Sequence, residues 1–340
     1  MQRRKFMGQV GVGAAATILP NTLLSFAPNA TTKAASILKF GIVSDVHKDL
    51  MPDADERLQK FIDEAKARKV DFIIQMGDFC MAETENLGFM NIWKEFKGPR
   101  YHILGNHDMD KHSKQEMLDF WQMPKTYYSY DFAGIHFIVL DANFLYKDGA
   151  FIDYEKANFY VEDKYRTYID DEQITWFKSD LAETKLPTIV FSHQSLWHYQ
   201  WGVKNRLVLQ KILEDHKEKV ICCFNGHNHI DFHHQQNGIH YIEVNSMSYK
   251  WMSDKYTTKD RYPAAFYEQY KWLPNIAPYQ DSLYAFASIY PEGTLAIEGV
   301  RSEWMSPSPY DLGMPKGVYG SECSAVMSDY NLEFDSKQKP

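Results

Sequence analysis

From Ile37 onward the chain alternates short apolar runs with stretches whose apolar residues recur every three or four positions. Runs of the first kind predict buried strands, and stretches of the second predict amphipathic helices. "ILKFGIVS" is a strand. The following "DADERLQKFIDEAKARK" is a helix with Leu58, Phe61, Ile62 and Ala65 on one face. "VDFIIQM" and "RYHIL" are the next strands, followed by the helices "NLGFMNIWKEF" and "SKQEMLDFW". This order implies a largely parallel sheet covered by helices. "TYYSYDF" and "IHFIVLDA" read as an antiparallel pair. They lead to the helix "DEQITWFKSDLAET", the strand "LPTIVFS", the helix "NRLVLQKILEDH" and the strand "KVICCF". "HIDFHH" with "GIHYIEVN", and "SLYAFASIY" with "TLAIEGV", are hairpins.

The residues just past the core strands share a chemistry. The first run ends in "SDVH" (Asp45, His47), the second in "GD" (Asp78) and the third in "GNHD" (Asn106, His107, Asp108). A later run ends in "SH" (His193), and the last in "NGHNH" (His227, His229). Ligands of α/β sheets bind beyond the carboxyl ends of the strands, so these ends converge on one point. Paired imidazoles at a strand end suit two metal ions held close together. Imidazole with carboxylate and no thiolate favours Zn, Fe or Mn over Mg or Ca. Gly77, Gly105 and Gly226 fit the sharp turns such ends require.

Composition narrows the reading further. The 340 residues are 44% hydrophobic and 24% charged, an ordinary globular profile, and the net charge is −8. An acidic chain is poorly suited to gripping a nucleic-acid polymer, which rests on many Lys and Arg contacts. Residues 1–35 read as an export signal: Arg3, Arg4 and Lys5 precede a Gly/Ala-rich, weakly apolar segment. "RRKFM" resembles the twin-arginine type, which implies a periplasmic destination. Pro20 and Asn21 break the segment before the ~20 apolar residues of a spanning helix, so no stable membrane anchor is expected. Cys80, Cys222, Cys223 and Cys323 form no CxxC pair, and Cys222 and Cys223 face opposite sides of one strand. Buried free thiols are expected.

"DVH", "GD", "GNHD", "SH" and "GHNH", in this order, resemble the calcineurin-like metallophosphoesterases over roughly residues 37 to 245. The resemblance implies an α/β fold, a four-layer αββα sandwich of two mixed β-sheets flanked by helices. It implies two divalent metal ions (Mn, Fe or Zn), one on Asp45, His47, Asp78 and His229 and the other on Asp78, Asn106, His193 and His227. It makes His107 the acid or phosphate-contacting histidine, with Asp108 orienting it. Met81 stands where purple acid phosphatases carry a tyrosine, so an iron–tyrosinate pair is not supported. Ser195 replaces a proline found in many relatives.

The phosphoesterase domain is expected over residues 36–300, with an extended segment over 301–340 that wraps the surface. The aromatic-rich stretch from Tyr249 to Tyr279 reads as a structural excursion on the sandwich or at a subunit contact, ahead of a lid that stacks on a base or sugar. His198, beside Trp197, is a further candidate for the substrate cleft. The expected activity is hydrolysis of a small phosphodiester or nucleotide-type ester through a metal-bridging hydroxide. A phosphomonoesterase, a non-catalytic metal-binding scaffold and a nuclease are the alternatives. The oligomeric state is left open.

Overall fold

The computed structural model describes residues 35–318 and 321–334. The export-signal reading covers residues 1–35, and all of it except Ala35 lies outside the described residues. The first apolar run, Leu38–Val43, pairs parallel with Phe72–Gln75, and that strand pairs parallel with Arg100–His102. On the other side of Leu38–Val43 lie Ala285–Tyr290, Thr294–Gly299 and Tyr330–Glu333, each antiparallel to its neighbour. A second six-stranded sheet runs Phe232–Gln236, Ile239–Glu243, Val220–Asn225, Thr188–Ser192, Ile135–Leu140 and Tyr128–Phe132. Its four inner strands are parallel and its two edge strands antiparallel. Both predicted hairpins and the antiparallel pair are present.

The alternation of strands and helices taken alone implied one sheet, and the chain builds the two that the family resemblance implied. The reason lies in burial on both faces. Phe40, Phe72, Phe137, Phe191 and Phe224 fill the space between the sheets, with Phe40 stacked on Phe72 at 4.8 Å and edge-on to Phe137 at 5.9 Å. The outer face of the first sheet takes the helix Ala54–Arg68 through Leu58, Phe61, Ile62 and Ala65, the face predicted from spacing. The outer face of the second takes Phe177 and Leu181 of Asp171–Glu183 and Leu209 and Leu213 of Arg206–Asp215. Inner strands such as Phe72–Gln75, Thr188–Ser192 and Val220–Asn225 are buried along their whole length, and periodicity cannot say to which sheet they belong. The result is the mixed α/β sandwich of two sheets flanked by helices. All four cysteines are buried and free, Cys222 between the sheets and Cys223 on the outer face.

Two smaller sheets shape the space above the strand ends. Phe144–Lys147 pairs with Ala150–Asp153 and Arg166–Tyr168, a three-stranded unit not foreseen from the pattern. Tyr249–Trp251 pairs with Ile276–Pro278, so the aromatic stretch leaves and rejoins the body at one ladder. Arg261, buried within that stretch, donates to the carbonyls of Ile276 and Pro307 at 2.6 Å each. Beyond residue 300 the chain makes bridges at Arg301, to Val326, and at Trp304, to Tyr279, before its last strand. Among the described residues no helix is long and apolar enough to cross a membrane.

Candidate metal centre

The strand ends bring the predicted side chains together in two groups. Asp45, His47 and His229 form one, and Asp78, His193 and His227 the other, each with its ligand atoms within 4.8 Å of one another. In the first group His229 Nε2 lies 3.1 Å from Asp45 Oδ1 and 3.3 Å from His47 Nε2. In the second, His193 Nε2 lies 3.2 Å from Asp78 Oδ2. That same Asp78 oxygen is 3.6 Å from His47 Nε2, so a single carboxylate oxygen faces both groups. Asn106 lines the cavity above them, and its Oδ1 accepts from Gln194 Nε2 at 3.4 Å.

The backbone holds these residues in an uncommon conformation. Asp45, His47, Asp78, His227 and His229 all have φ between 47° and 65°, the left-handed region. Outside glycine that region is sparsely used, and Asp and His are among the side chains that tolerate it. Such strain clusters at functional sites. Gly77 adopts φ 101° between the strand and Asp78. A Cβ on Gly105 would run into the amide and carboxylate of Asp78. Glycine at 105 therefore lets two strand-end loops touch.

Orientation comes from the atoms that face away from the centre. His193 Nδ1 donates to the Met76 carbonyl at 2.8 Å, and His229 Nδ1 donates to the Tyr249 carbonyl at 2.7 Å. Both rings thus present Nε2 inward, the usual backing for a metal-binding imidazole. Asp45 Oδ2 accepts the His227 amide at 3.0 Å and the Ser44 hydroxyl, and Asp78 Oδ1 accepts the His107 amide at 2.8 Å. Each carboxylate thus keeps one oxygen for the interior of the site. Asp45 Oδ1 and His193 Nε2 are buried with no well-formed hydrogen bond, their near neighbours being other ligand atoms, His229 Nε2 at 3.1 Å and Asp78 Oδ2 at 3.2 Å. Buried polar atoms are rarely left so, and a coordinated cation would satisfy both. The donor set therefore fits two metal ions.

Asp78, His47 and His227 stand in the protonation states that ligation requires, and His193 would give up a proton to a cation. Burial would raise Asp78, but the charges on His193 and His107 hold it well below the usual carboxylate range. Burial pulls His47 and His227 down to about 3, which keeps both neutral and able to coordinate. Burial alone would also lower His193, yet Asp78 and Asp45 lift it to about 9.

His107 stands beside the centre, its ring 5.4 Å from that of His47. The sequence reading gave its orientation to Asp108, and the structure corrects this. Asp108 Oδ2 accepts the amides of Asp78 and Gly105, and Oδ1 that of Phe79, at 2.7–3.0 Å. The carboxylate clamps the loops rather than the imidazole. The group on His107 is Asp110, whose Oδ2 accepts from Nδ1 at 2.9 Å, with the Tyr160 hydroxyl 3.4 Å away. One turn of 3-10 helix, His107–Met109, puts position 110 rather than 108 under the ring. The i+3 spacing of His107 and Asp110 was the signal available in the sequence.

His198 is buried against Phe232 at 4.7 Å and is not among the residues lining the cavity. Ser195, the departure from proline, donates to Glu243 and accepts the His198 amide at 2.8 Å. His102 is a core residue that accepts from Trp93 Nε1 at 3.0 Å. The stretch from Tyr249 does two things. Tyr262, Phe266, Tyr267 and Tyr270 pack on the body, Tyr256 and Trp272 line the cavity, and Trp251 does both.

Comparison with known proteins completes the picture. A family model described as calcineurin-like phosphoesterase matches residues 38–231. Purple acid phosphatase 21 of Arabidopsis thaliana is 24% identical over 200 residues, which cover 49% of this chain and 40% of that protein. The match therefore spans less than half of that relative's length. A dimetal phosphatase from Danio rerio superposes with a TM-score of 0.59 at 15% identity, over 81% of this chain and 100% of that one. GAP50, the anchor in the inner membrane complex of Plasmodium, gives 0.53 at 15% identity, over 88% and 90%. Identities this low show a shared fold. Because the matched family region covers more than half of the chain and takes in every metal-facing side chain from Asp45 to His229, the chain belongs to the calcineurin-like phosphoesterase family.

Proposed function

We propose that this protein is a dinuclear metal-dependent phosphoesterase, acting on a small phosphodiester or nucleotide-type ester ahead of simple phosphomonoesters. The observation that carries the proposal is Asp78 Oδ2, which faces His47 of one group at 3.6 Å and His193 of the other at 3.2 Å. Asp45, His47, Asp78 and His229 would hold one ion, and Asp78, Asn106, His193 and His227 the other. Bound there, two divalent cations would polarise a phosphoryl oxygen and lower the pKa of water enough to supply a nucleophile near neutral pH.

The protein's own groups supply the rest. His107 Nδ1 is taken up by Asp110, which leaves Nε2 to hold a proton for the leaving oxygen. Burial would lower His107, but Asp78 and Asp110 raise it to about 9. Asp108 keeps the Asp78 and Gly105 loops in register. A scaffold role is the second reading, drawn from the Plasmodium anchor of the same fold. The filled ligand set weighs against it. Purified protein loaded with Mn, Fe or Zn, assayed against mono- and diesters, decides between them. Metal-dependent turnover is the expected result, and two bound metals without turnover would favour the scaffold.

The leader supports export to the periplasm, on "RRKFM" and its weakly apolar sequel. Replacing Arg3 and Arg4 with Lys should retain the protein in the cytoplasm, as read by cell fractionation. Unchanged export would point to another route.

A further inference from the structure

The cavity above the metal centre holds about 800 Å³, room for a whole small ligand rather than one phosphoryl group. Its floor is polar and its walls are aromatic. Tyr160, Trp201 and Trp272 line it while 62%, 40% and 63% exposed, so large rings stand open to water around one opening. The His107 ring lies 6.0 Å from Phe159, 6.4 Å from Tyr160 and 6.1 Å from Trp251. His107 therefore stands among aromatic rings at the cavity wall. Arg166 lines the same cavity with its guanidinium 5.0 Å from the Trp201 ring, adding a flat cation to the wall.

We propose that Tyr160, Trp251 and Trp272 form a stacking subsite for a planar ring on the leaving group, so that the preferred substrates are nucleoside phosphoesters. This rests on the reading above, in which His107 serves the leaving oxygen. A phenolate departs unaided, whereas an alkoxide needs a proton. A nucleoside joins a planar ring to an alkoxide leaving oxygen, which is the combination that both wall and acid serve. In the reaction an oxygen of water bonds to phosphorus and the P–O bond to the nucleoside's 5′ oxygen breaks. His107 gives its proton to that oxygen and regains one from the attacking water.

The test compares adenosine 5′-monophosphate with ribose 5-phosphate, which shares the leaving oxygen and lacks the base. Stacking predicts a kcat/KM ratio of roughly 5- to 150-fold in favour of the nucleotide. Trp272→Ala and Trp251→Leu should shrink that ratio toward one, with metal content unchanged. Trp272 is mostly exposed, so its replacement leaves the core intact. A ratio near one in the parent protein, or a ratio that neither variant alters, overturns the subsite. If no phosphoester is hydrolysed, the phosphoesterase reading fails, and binding then judges the subsite by itself. Tryptophan fluorescence should report tighter binding of the nucleotide than of ribose 5-phosphate, and equal affinities would overturn it.

Discussion

Asp45 and Asp78 each divide their oxygens between two roles. One oxygen accepts a backbone amide from another strand-end loop, and the other faces the centre. Asparagine at 78 could keep the anchoring bond with its amide oxygen while losing the charge that both groups share. We expect Asp78→Asn to lower kcat/KM by about 10²–10³ or more, the scale of a lost electrostatic stabiliser, and to lose at least one metal by elemental analysis. Two metals per chain with normal turnover would end the shared-ligand assignment. His107 and Asp110 make a separable prediction. His107→Gln should keep both metals and lose about 10²–10⁴ in rate on an alkyl ester, but less on a nitrophenyl ester, because proton donation matters more for a basic leaving group. Asp110→Asn should show the same slope more weakly, and Asp108→Asn should instead lower stability. Equal losses for all leaving groups would make His107 a phosphate contact rather than an acid.

At the scale of elements, the centre depends on strand ends that stop in the left-handed region, and those ends depend on sheets that do not shift. One tie lies far from the metals. His136, on the strand Ile135–Leu140, bonds Asp131 of the neighbouring edge strand at 2.6 Å and Asp180 of the helix Asp171–Glu183 at 2.9 Å. Burial would lower its pKa, but Asp180 and Asp131 raise it above the ordinary 6.5. A raised folded-state pKa means that the charged form stabilises the fold. That contribution is complete below about 6.5 and fades as pH climbs through the raised value. Urea midpoints of the parent and His136→Gln should therefore differ most near pH 6 and converge in alkaline buffer. A gap that stays constant with pH would show that charge plays no part. Asp131 is 64% exposed, so solvent screens the pair and the gap should be modest.

For the whole molecule, the metal centre and the fold should be coupled. The two groups gather ligands from the ends of both sheets, across the crest of the sandwich. Cations that bind the folded chain alone stabilise it by mass action, about 2.7 kcal/mol at a hundred times Kd. Chelation should lower Tm by several degrees, and adding Mn or Zn back should restore it. In Asp78→Asn the same treatment should move Tm less. A Tm indifferent to chelator in the parent protein would mean that the site forms without its ions or never holds them.

Most strands of the two large sheets and the helices that cover them were written in the apolar pattern, because burial selects period two or 3.6 locally, whereas the three-stranded unit of Phe144–Lys147 was not. The residue types past each strand were equally plain, since Asp, Asn and His in series have few other uses at buried strand ends. Strand order was not readable, because a strand apolar on both faces carries no mark of its sheet. The partner of His107 was not read either, because the family resemblance gave that role to Asp108 and only the 3-10 turn shows that Asp110 lies beneath the ring. The aromatic stretch had two readings, and tertiary structure divided it. Tyr262, Phe266 and Tyr267 pack against the core, Trp272 lines the cavity, and Trp251 does both. Composition alone does not distinguish a ring that packs from a ring that waits for a ligand. That difference is decided by the ladder between Tyr249–Trp251 and Ile276–Pro278, which turns the stretch back over the strand ends.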